Sequence, residues 1–375
     1  MKKALIISNT SGLITDFLEN DIKILEEKGY LIDCASNLKY SGKDTDKFIT
    51  KYNLNMIDIE FPVRDLDIKL IIESIKKLKK ILKENEYQVI HCHSTIAAVI
   101  GRHCAKKYRK NGTKVIYTSH GFPFFKGNNG IKSKIYKSIE KFYSKYTDAI
   151  VTICNEDFES ANKFKCKKVF KIHGVGIDLT KFDNTNIDIN RYKEKNNIST
   201  KDLIIFSVGE LNTNKNHEAI IRAISMLDFK NEITYMIAGR EVTEIGKKKY
   251  LEEIAKKLGV KVVFLGFRKD IPSLLKIADI GALPSFKEGL GLSGLEMIAS
   301  GLPVIASNRQ GIKDYVIEGE TGFLFNPTDT NEITNAIKKA IEFKKEKREF
   351  NHDIVIKYDI QHTYKEMQKI YNSVL

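Results

Sequence analysis

The sequence predicts an α/β fold built from two doubly wound, Rossmann-like halves, and three observations carry that prediction. Short apolar runs alternate with longer amphipathic stretches, the pattern of buried parallel strands joined by crossover helices. The alternation runs twice, on either side of a stretch at 178–200 that is rich in Asn, Asp and Lys and lacks a sustained apolar pattern. The length, 375 residues, exceeds what one hydrophobic core ordinarily holds. The expected domains are therefore 1–177, a linker at 178–200, 201–356, and a closing segment at 357–375.

In the first half, strand 4–9 is followed by helical spacing over 15–28 that stops at Gly29, and then by strand 31–35. This is a βαβ unit. It lacks GxGxxG, so it carries no dinucleotide fingerprint. Strand 56–61 precedes a lysine-rich amphipathic helix at 67–85, and strand 89–92 a helix at 95–110. Strand 115–119 runs into His120-Gly121. Helix 132–146, strand 149–154, helix 155–163 and strand 169–173 complete the half. The second half offers strands at 203–208, 233–238, 262–265, 280–283 and 304–306 with helices between them, then helical patterns at 332–343 and 362–374. In such sheets ligands sit at the carboxyl ends of strands, and two such halves are expected to face a cleft. The informative loops are thus those at Gly12, 93–95, His120-Gly121, 210–216, 239–240, 267–268 and 288–292.

Loop and helix meet most tellingly at 284–301, PSFKEGLGLSGLEMIASG. An apolar strand, a loop with Gly289, Gly291 and Gly294, and a helix start capped by Ser293 follow one another, with Gly301 and Pro303 as stop signals. That order brings backbone N–H groups and a positive helix end to a sheet edge, where phosphate binds well. Glu288 and Glu296 frame the loop. A carboxylate beside an anion site is costly unless it holds hydroxyls, and sugar or ribose hydroxyls fit. The alternative is local: Ser293-x-x-Glu296 is also a capping box.

Other stretches carry two readings each. His120, closing a strand, faces either a ligand or plain solvent. His91-Cys92-His93 places two imidazoles on one strand face, as a metal site would. No further ligand stands near in sequence, so strand-end packing or a sugar contact is the stronger reading. Asp65-Leu66-Asp67 is a DxD, but Asp67 also sits where a helix needs its N-cap, and that reading is favoured. Lys215, in GELNTNKN between the first strand and helix of the second half, reaches phosphates or simply solvates a loop. The helix at 131–146 carries Lys132, Lys134, Lys137, Lys141 and Lys145 between Ile131, Ile135, Tyr136, Ile139, Phe142 and Tyr143. Such a face is either merely solvated or lies on an anionic membrane.

The formal charge of +14 calls for an anionic partner: nucleic acid, anionic lipid or a phosphorylated substrate. No nucleic-acid motif is present. The five cysteines are odd in number and form no CxxC, as in a reduced cytoplasmic protein. No stretch approaches a membrane span, so any membrane contact is expected to be peripheral.

These motifs together resemble the retaining glycosyltransferases of family 4, which have the GT-B fold, over nearly the whole chain. The signature is Glu288-GLGLSGL-Glu296, with Pro284-Ser285, His120-Gly121, VFLGFRKDIPSLLKIADI at 263–280 and SNRQGIKDYVIEGETGFLF at 307–325. The likeness is greatest to bacterial capsule and exopolysaccharide transferases, through 122–127, 171–178 and 209–216. The resemblance implies roles. Glu288 and the amides of Gly289, Leu290, Gly291 and Leu292 would hold the transferred sugar, and Glu296 the ribose. Lys215 would neutralise the diphosphate, and Phe267 and Arg268 would touch the base. His120 would meet the donor near its reacting carbon, Gly12 would let the N-terminal loop approach the diphosphate, and the C-terminal helix would cross back to the first domain. Glu210 stands where many relatives have arginine, which removes one expected cation.

The implied activity is transfer of a sugar, with retention, from a nucleotide donor such as UDP-GlcNAc, UDP-GalNAc or a UDP-hexose. No metal or other cofactor is expected. The acceptor would be an undecaprenyl-type lipid-linked saccharide in capsule, exopolysaccharide or lipopolysaccharide synthesis, at the inner face of the cell membrane. A nucleotide-sugar epimerase of the same fold and a non-catalytic module binding anionic ligands or membranes are the alternatives.

Overall fold

The computed structural model describes residues 2–42, 44–63, 66–128, 130–183, 187–196, 198–346 and 353–375. Its contacts divide the chain into two units. One holds Met1–Gly176 with Ile360–Leu375, the other Ile177–Asp359.

The first unit is organised on a seven-stranded parallel sheet. Its strands are β1 (Lys2–Thr10), β2 (Tyr30–Asn37), β3 (Asn55–Asp58), β4 (Val89–His93), β5 (Lys114–Ser119), β6 (Ala149–Thr152) and β7 (Lys168–Lys171), in the order β3-β2-β1-β4-β5-β6-β7. All seven expected strands are present. The ladder of β3 stops earlier than the apolar run does, because Ile59 and Phe61 leave the sheet but stay fully buried in the core. The helix expected at 15–28 is two helices, Ser11–Phe17 and Glu19–Glu27, meeting at Leu18. The first starts directly after β1, where a loop was expected, because the Thr10 hydroxyl accepts the Leu13 N–H at 3.3 Å. Asp67 caps helix Ile68–Glu84 by accepting from Leu70 N at 3.1 Å. Asp65, the other acid of the DxD, lies outside the described residues.

One buried charge pair fixes the basic helix. Arg102, on helix Thr95–Ala105, bonds Glu140 of helix Ile131–Ser144 at 2.8 Å and stacks over Tyr117 at 4.0 Å. Both charges are fully enclosed, so removing either strands the other. The loop between β5 and this helix turns its aromatics inward. Phe122 and Phe124 are buried and stack with centroids 4.8 Å apart.

The second unit has a six-stranded parallel sheet, β8 (Leu203–Val208), β9 (Ile233–Ala238), β10 (Lys261–Gly266), β11 (Ile280–Leu283), β12 (Val304–Ser307) and β13 (Gly322–Phe325), ordered β10-β9-β8-β11-β12-β13. The sixth strand was not expected. It is a four-residue run inside a turn-rich stretch, too short to show a period. The segment expected as a linker at 178–200 belongs to this unit. It holds helices Thr180–Asp183 and Ile189–Lys195, and the buried Lys193 ammonium donates to the carbonyls of Thr200 and Asp202. Helix Ile360–Val374 packs on Glu19–Glu27 and so completes the first unit.

Candidate active site

The glycine loop follows β11 and ends in helix Leu292–Ala299. The structure corrects the cap. Gly291, at φ +78°, is the N-cap, and Ser293 is already the second helical residue. The Ser293–Glu296 capping box therefore does not form, and half-buried Glu296 sits one turn further in. Glycine is required twice here. Gly291 adopts a backbone that L side chains rarely take, and a Cβ on Gly294 would overlap the Tyr315 hydroxyl. Tyr315 is fully buried and donates to the Gly291 carbonyl at 2.9 Å, which pins the loop to the helix start. Burial first, and Glu288 nearby, push its phenol well above the usual range.

A second loop, Gly209 to Asn216, joins β8 to helix His217–Ser225 and is laced to the first. Asn214 donates to the Lys287 carbonyl at 3.1 Å and accepts from Phe286 N at 2.8 Å. Asn216, at φ +54°, donates to the carbonyls of Pro284 at 3.2 Å and Pro327 at 2.9 Å. The lacing brings Lys215 and Glu288, 73 positions apart, into contact: Lys215 Nζ donates to Glu288 Oε1 at 2.5 Å. Both side chains are about four-fifths enclosed. The chain of Lys215 lies across Gly209, 3.1 Å from where a Cβ would stand.

Glu210 turns away from this pair. Its carboxylate accepts from the backbone N–H of Thr243 at 2.5 Å and from the Thr243 hydroxyl, and so anchors the loop after β9. Arg240 lies over the half-exposed ring of Phe267, 5.3 Å from its centroid, which leaves an aromatic shelf beyond β10. Arg268 is held by Asp270 through two hydrogen bonds of 2.8 and 2.5 Å.

Gly12 and His120 belong to the first unit. Gly12 lies in the first turn of Ser11–Phe17, where a Cβ would stand 2.9 Å from Gly42 N, so its smallness admits the loop at 41–42. His120 follows β5. Its turn is held by Asp157, which accepts from Phe122 N at 2.7 Å. His120 Nε2 lies 3.1 Å from His93 Nδ1. His93 is fully buried and its Nε2 has no partner. An orphaned buried N–H is rarer than an orphaned lone pair. That assigns the His93 proton to Nδ1, donating to His120 Nε2, and leaves His120 with its own proton on Nδ1. Enclosure lowers the His120 pKa to about 4, so the ring is neutral near pH 7.

Behind these rings lies a relay that sequence reasoning missed. Thr118 meets His91 Nε2 at 2.8 Å, His91 Nδ1 meets the Tyr371 hydroxyl at 2.7 Å, and Tyr371 donates to Asp21 at 3.0 Å. Asp21, His91 and His93 have ligand atoms within 4.8 Å of one another. The third ligand absent near His91 in sequence thus arrives through the fold as Asp21, although Tyr371 already engages both Asp21 and His91, and Thr118 engages His91. His217 was missed too. It is buried with Nδ1 2.9 Å from the Tyr235 hydroxyl. Single-sequence signals for it and for Tyr315 are weak, because both act through partners distant in the chain.

Residues 188–353 match the family described as glycosyl transferases group 1, and residues 4–154 the family described as glycosyl transferase 4-like. EpsD of Bacillus subtilis strain 168, a protein named as a glycosyltransferase, is 32% identical over 309 residues, covering 80% of each chain. An Escherichia coli UDP-Gal:α-D-GlcNAc-diphosphoundecaprenol α-1,3-galactosyltransferase is 31% identical over 288 residues, 75% of this chain and 73% of that protein. Among solved structures, Anabaena HepE in complex with UDP superposes with a TM-score of 0.77 at 18% identity and covers both chains fully. WaaG, a glycosyltransferase of lipopolysaccharide biosynthesis, does so with a TM-score of 0.71 at 16% identity, covering 98% of this chain and 99% of that one. The fold these chains share is GT-B.

Proposed function

The chain belongs to the glycosyltransferases of group 1, with the GT-B fold, and from that premise we propose that it transfers a sugar from a UDP-sugar to a lipid-linked saccharide in polysaccharide synthesis, without a metal and with retention. The observation that carries the reading is the Lys215–Glu288 pair at the mouth of the glycine loop. The pair unites the two groups that such a donor needs: a cation for the diphosphate and a carboxylate for sugar hydroxyls. Without donor each neutralises the other. An arriving diphosphate takes over the ammonium and frees Glu288 for hydroxyls, so both roles begin together.

The bond that breaks joins the anomeric carbon to the terminal phosphate oxygen, and negative charge grows on that oxygen as it does. Lys215 and the amino end of Leu292–Ala299 stabilise this charge more in the transition state than in the bound donor. Glu296 holds the ribose, and the shelf of Phe267 and Arg240 receives the base. His120, neutral and carrying its proton on Nδ1, donates a hydrogen bond and does not act as a cation. The name of the Escherichia coli relative, with its UDP-galactose donor and diphosphoundecaprenol-linked acceptor, supports the same substrate classes. The basic face of Ile131–Ser144 fits an anionic membrane that carries such an acceptor.

Calorimetry with UDP, GDP and ADP tests the donor class, with UDP expected to bind at least tenfold tighter than the others. Incubation with UDP-sugars and a lipid-diphosphate saccharide, with the anomeric configuration of the product read by NMR, tests transfer and retention. An inverted linkage, or isomerised UDP-sugar formed without acceptor, sinks the reading.

A further inference from the structure

We propose that His173, His362 and Glu366 form a binding site for a zinc-class divalent ion that cross-links the two chain segments passing between the units. Three ligand atoms converge there. His173 Nδ1 lies 2.8 Å from Glu366 Oε1, His362 Nε2 lies 3.5 Å from the same oxygen, and all three are within 4.8 Å of one another. An ion bound at about 2.0–2.1 Å holds tetrahedral ligands roughly 3.3 Å apart. The observed spacings bracket that value, so small side-chain rotations suffice. His362 and Glu366 stand four positions apart on one face of helix Ile360–Val374, a spacing that gives bidentate presentation from a helix.

The site is built as metal sites are. Glu366 Oε2 accepts the backbone N–H of His173 at 2.9 Å, which orients the carboxylate and leaves Oε1 toward the imidazoles. Burial alone would raise the Glu366 pKa, but its bonds to His173 outweigh this and lower it, so the ligand is ionised. The side chains are 21%, 49% and 21% exposed for His173, His362 and Glu366, so an ion has access and a fourth position stays open to water. Two imidazoles and a carboxylate suit zinc, cobalt or nickel over magnesium or calcium. The buried trio Asp21, His91 and His93 is the poorer site, since Thr118 and Tyr371 already take both His91 nitrogens and Tyr371 takes Asp21.

The location supplies the purpose. The chain leaves the first unit at Gly176 and returns at Ile360. His173 stands just before the departure, and His362 and Glu366 just after the return. The two segments already run side by side: Ile177 N donates to the Tyr358 carbonyl at 2.9 Å, and a Cβ on Gly176 would meet Ile360 Cα at 2.6 Å. An ion adds a coordinate cross-link there. It is separate from the sugar-transfer chemistry proposed above, which uses none of these residues.

The experiment is a calorimetric titration of the untagged, chelator-treated full chain with zinc chloride, repeated with cobalt chloride and its visible spectrum. One ion per chain, a tetrahedral cobalt spectrum, and a rise in Tm with zinc are expected. Because bound imidazoles must be unprotonated, affinity is expected to fall as the pH is lowered. His362→Ala and Glu366→Gln each weaken zinc at least tenfold. His362 is half exposed and Glu366→Gln keeps an acceptor for the His173 N–H, so both variants fold. No stoichiometric binding, undiminished binding in the His362→Ala, Glu366→Gln double variant, or equal affinity for magnesium overturns the proposal.

Discussion

Glu210 and Lys215 show how one residue's partner decides its chemistry. The family resemblance implies an arginine, and so a second cation, at the position of Glu210, whereas here the position is spent on anchoring Thr243. On the proposed reading, Lys215 is left to meet the phosphate charge, poised by Glu288. Lys215→Ala is expected to lower turnover about a hundredfold or more, some 2.7 kcal/mol of transition-state stabilisation, with a smaller loss of UDP affinity. Glu210→Arg is expected to bring no gain, because it breaks the anchor of the loop after β9. Steady-state kinetics on both variants decide; near-normal turnover in Lys215→Ala would show that another group neutralises the diphosphate. The two glutamates separate by ligand. Glu296→Ala is expected to weaken UDP itself, whereas Glu288→Ala leaves UDP binding nearly intact and cuts turnover by about a hundredfold. With the capping box absent, unchanged UDP affinity in Glu296→Ala would leave the ribose role without support.

At the scale of elements, helix Ile131–Ser144 is held from below and offered from above. Arg102–Glu140 fixes its inner face. Its outer face exposes Ile131 at 78%, Ile135 at 52% and Phe142 at 51% among Lys132, Lys134, Lys137, Lys141 and Lys145. Near an anionic surface each lysine contributes about 1 kcal/mol. Sedimentation with anionic vesicles is expected to show salt-sensitive binding that the triple change of Lys134, Lys137 and Lys141 to Glu removes; equal binding to neutral vesicles would refute it. The helix and all seven strands of the first sheet were legible because apolar runs and periods are local signals. β13 was hidden by its brevity, and the cap at Gly291 by a competing Ser293 two positions later. The candidate site residues stood out in the sequence as motifs, but their contacts did not. Lys215 meets Glu288 across 73 positions, and Tyr371 meets His91 across 280. No pattern within one helix or strand encodes such a pairing.

The whole molecule carries a buried titratable relay that ties the C-terminal helix to the first sheet. Burial raises the Asp21 pKa to about 7, against the pull of Tyr371, and lowers that of His91 to about 3. The signs differ. The stabilisation from protonated Asp21 is full below about pH 4 and is lost as the pH rises through about 7; that from neutral His91 is present above about 6.5 and is lost as the pH falls through about 3. Asp21→Asn removes the first effect alone. Relative to the parent chain, the variant is expected to gain stability progressively as the pH rises from about 4 to about 7, by at most roughly 4 kcal/mol, and to hold that gain above it. Urea unfolding of the first unit at several pH values checks this, and parallel curves for the two proteins would contradict it.

That same helix has a consequence in time. The first unit's sheet is made early, but Tyr371 and the face that covers Glu19–Glu27 come from Ile360–Leu375, after all of Ile177–Asp359 has been translated. At about 5–20 residues per second, the ribosome needs on the order of 10–40 s to make the intervening unit. Throughout that interval Asp21 and His91 Nδ1 lack the Tyr371 hydroxyl that they bond in the finished unit. Nascent chains therefore spend this period with a complete second unit growing behind an unfinished first one, open to chaperones and proteases. A chain stopped before residue 360 never leaves that state.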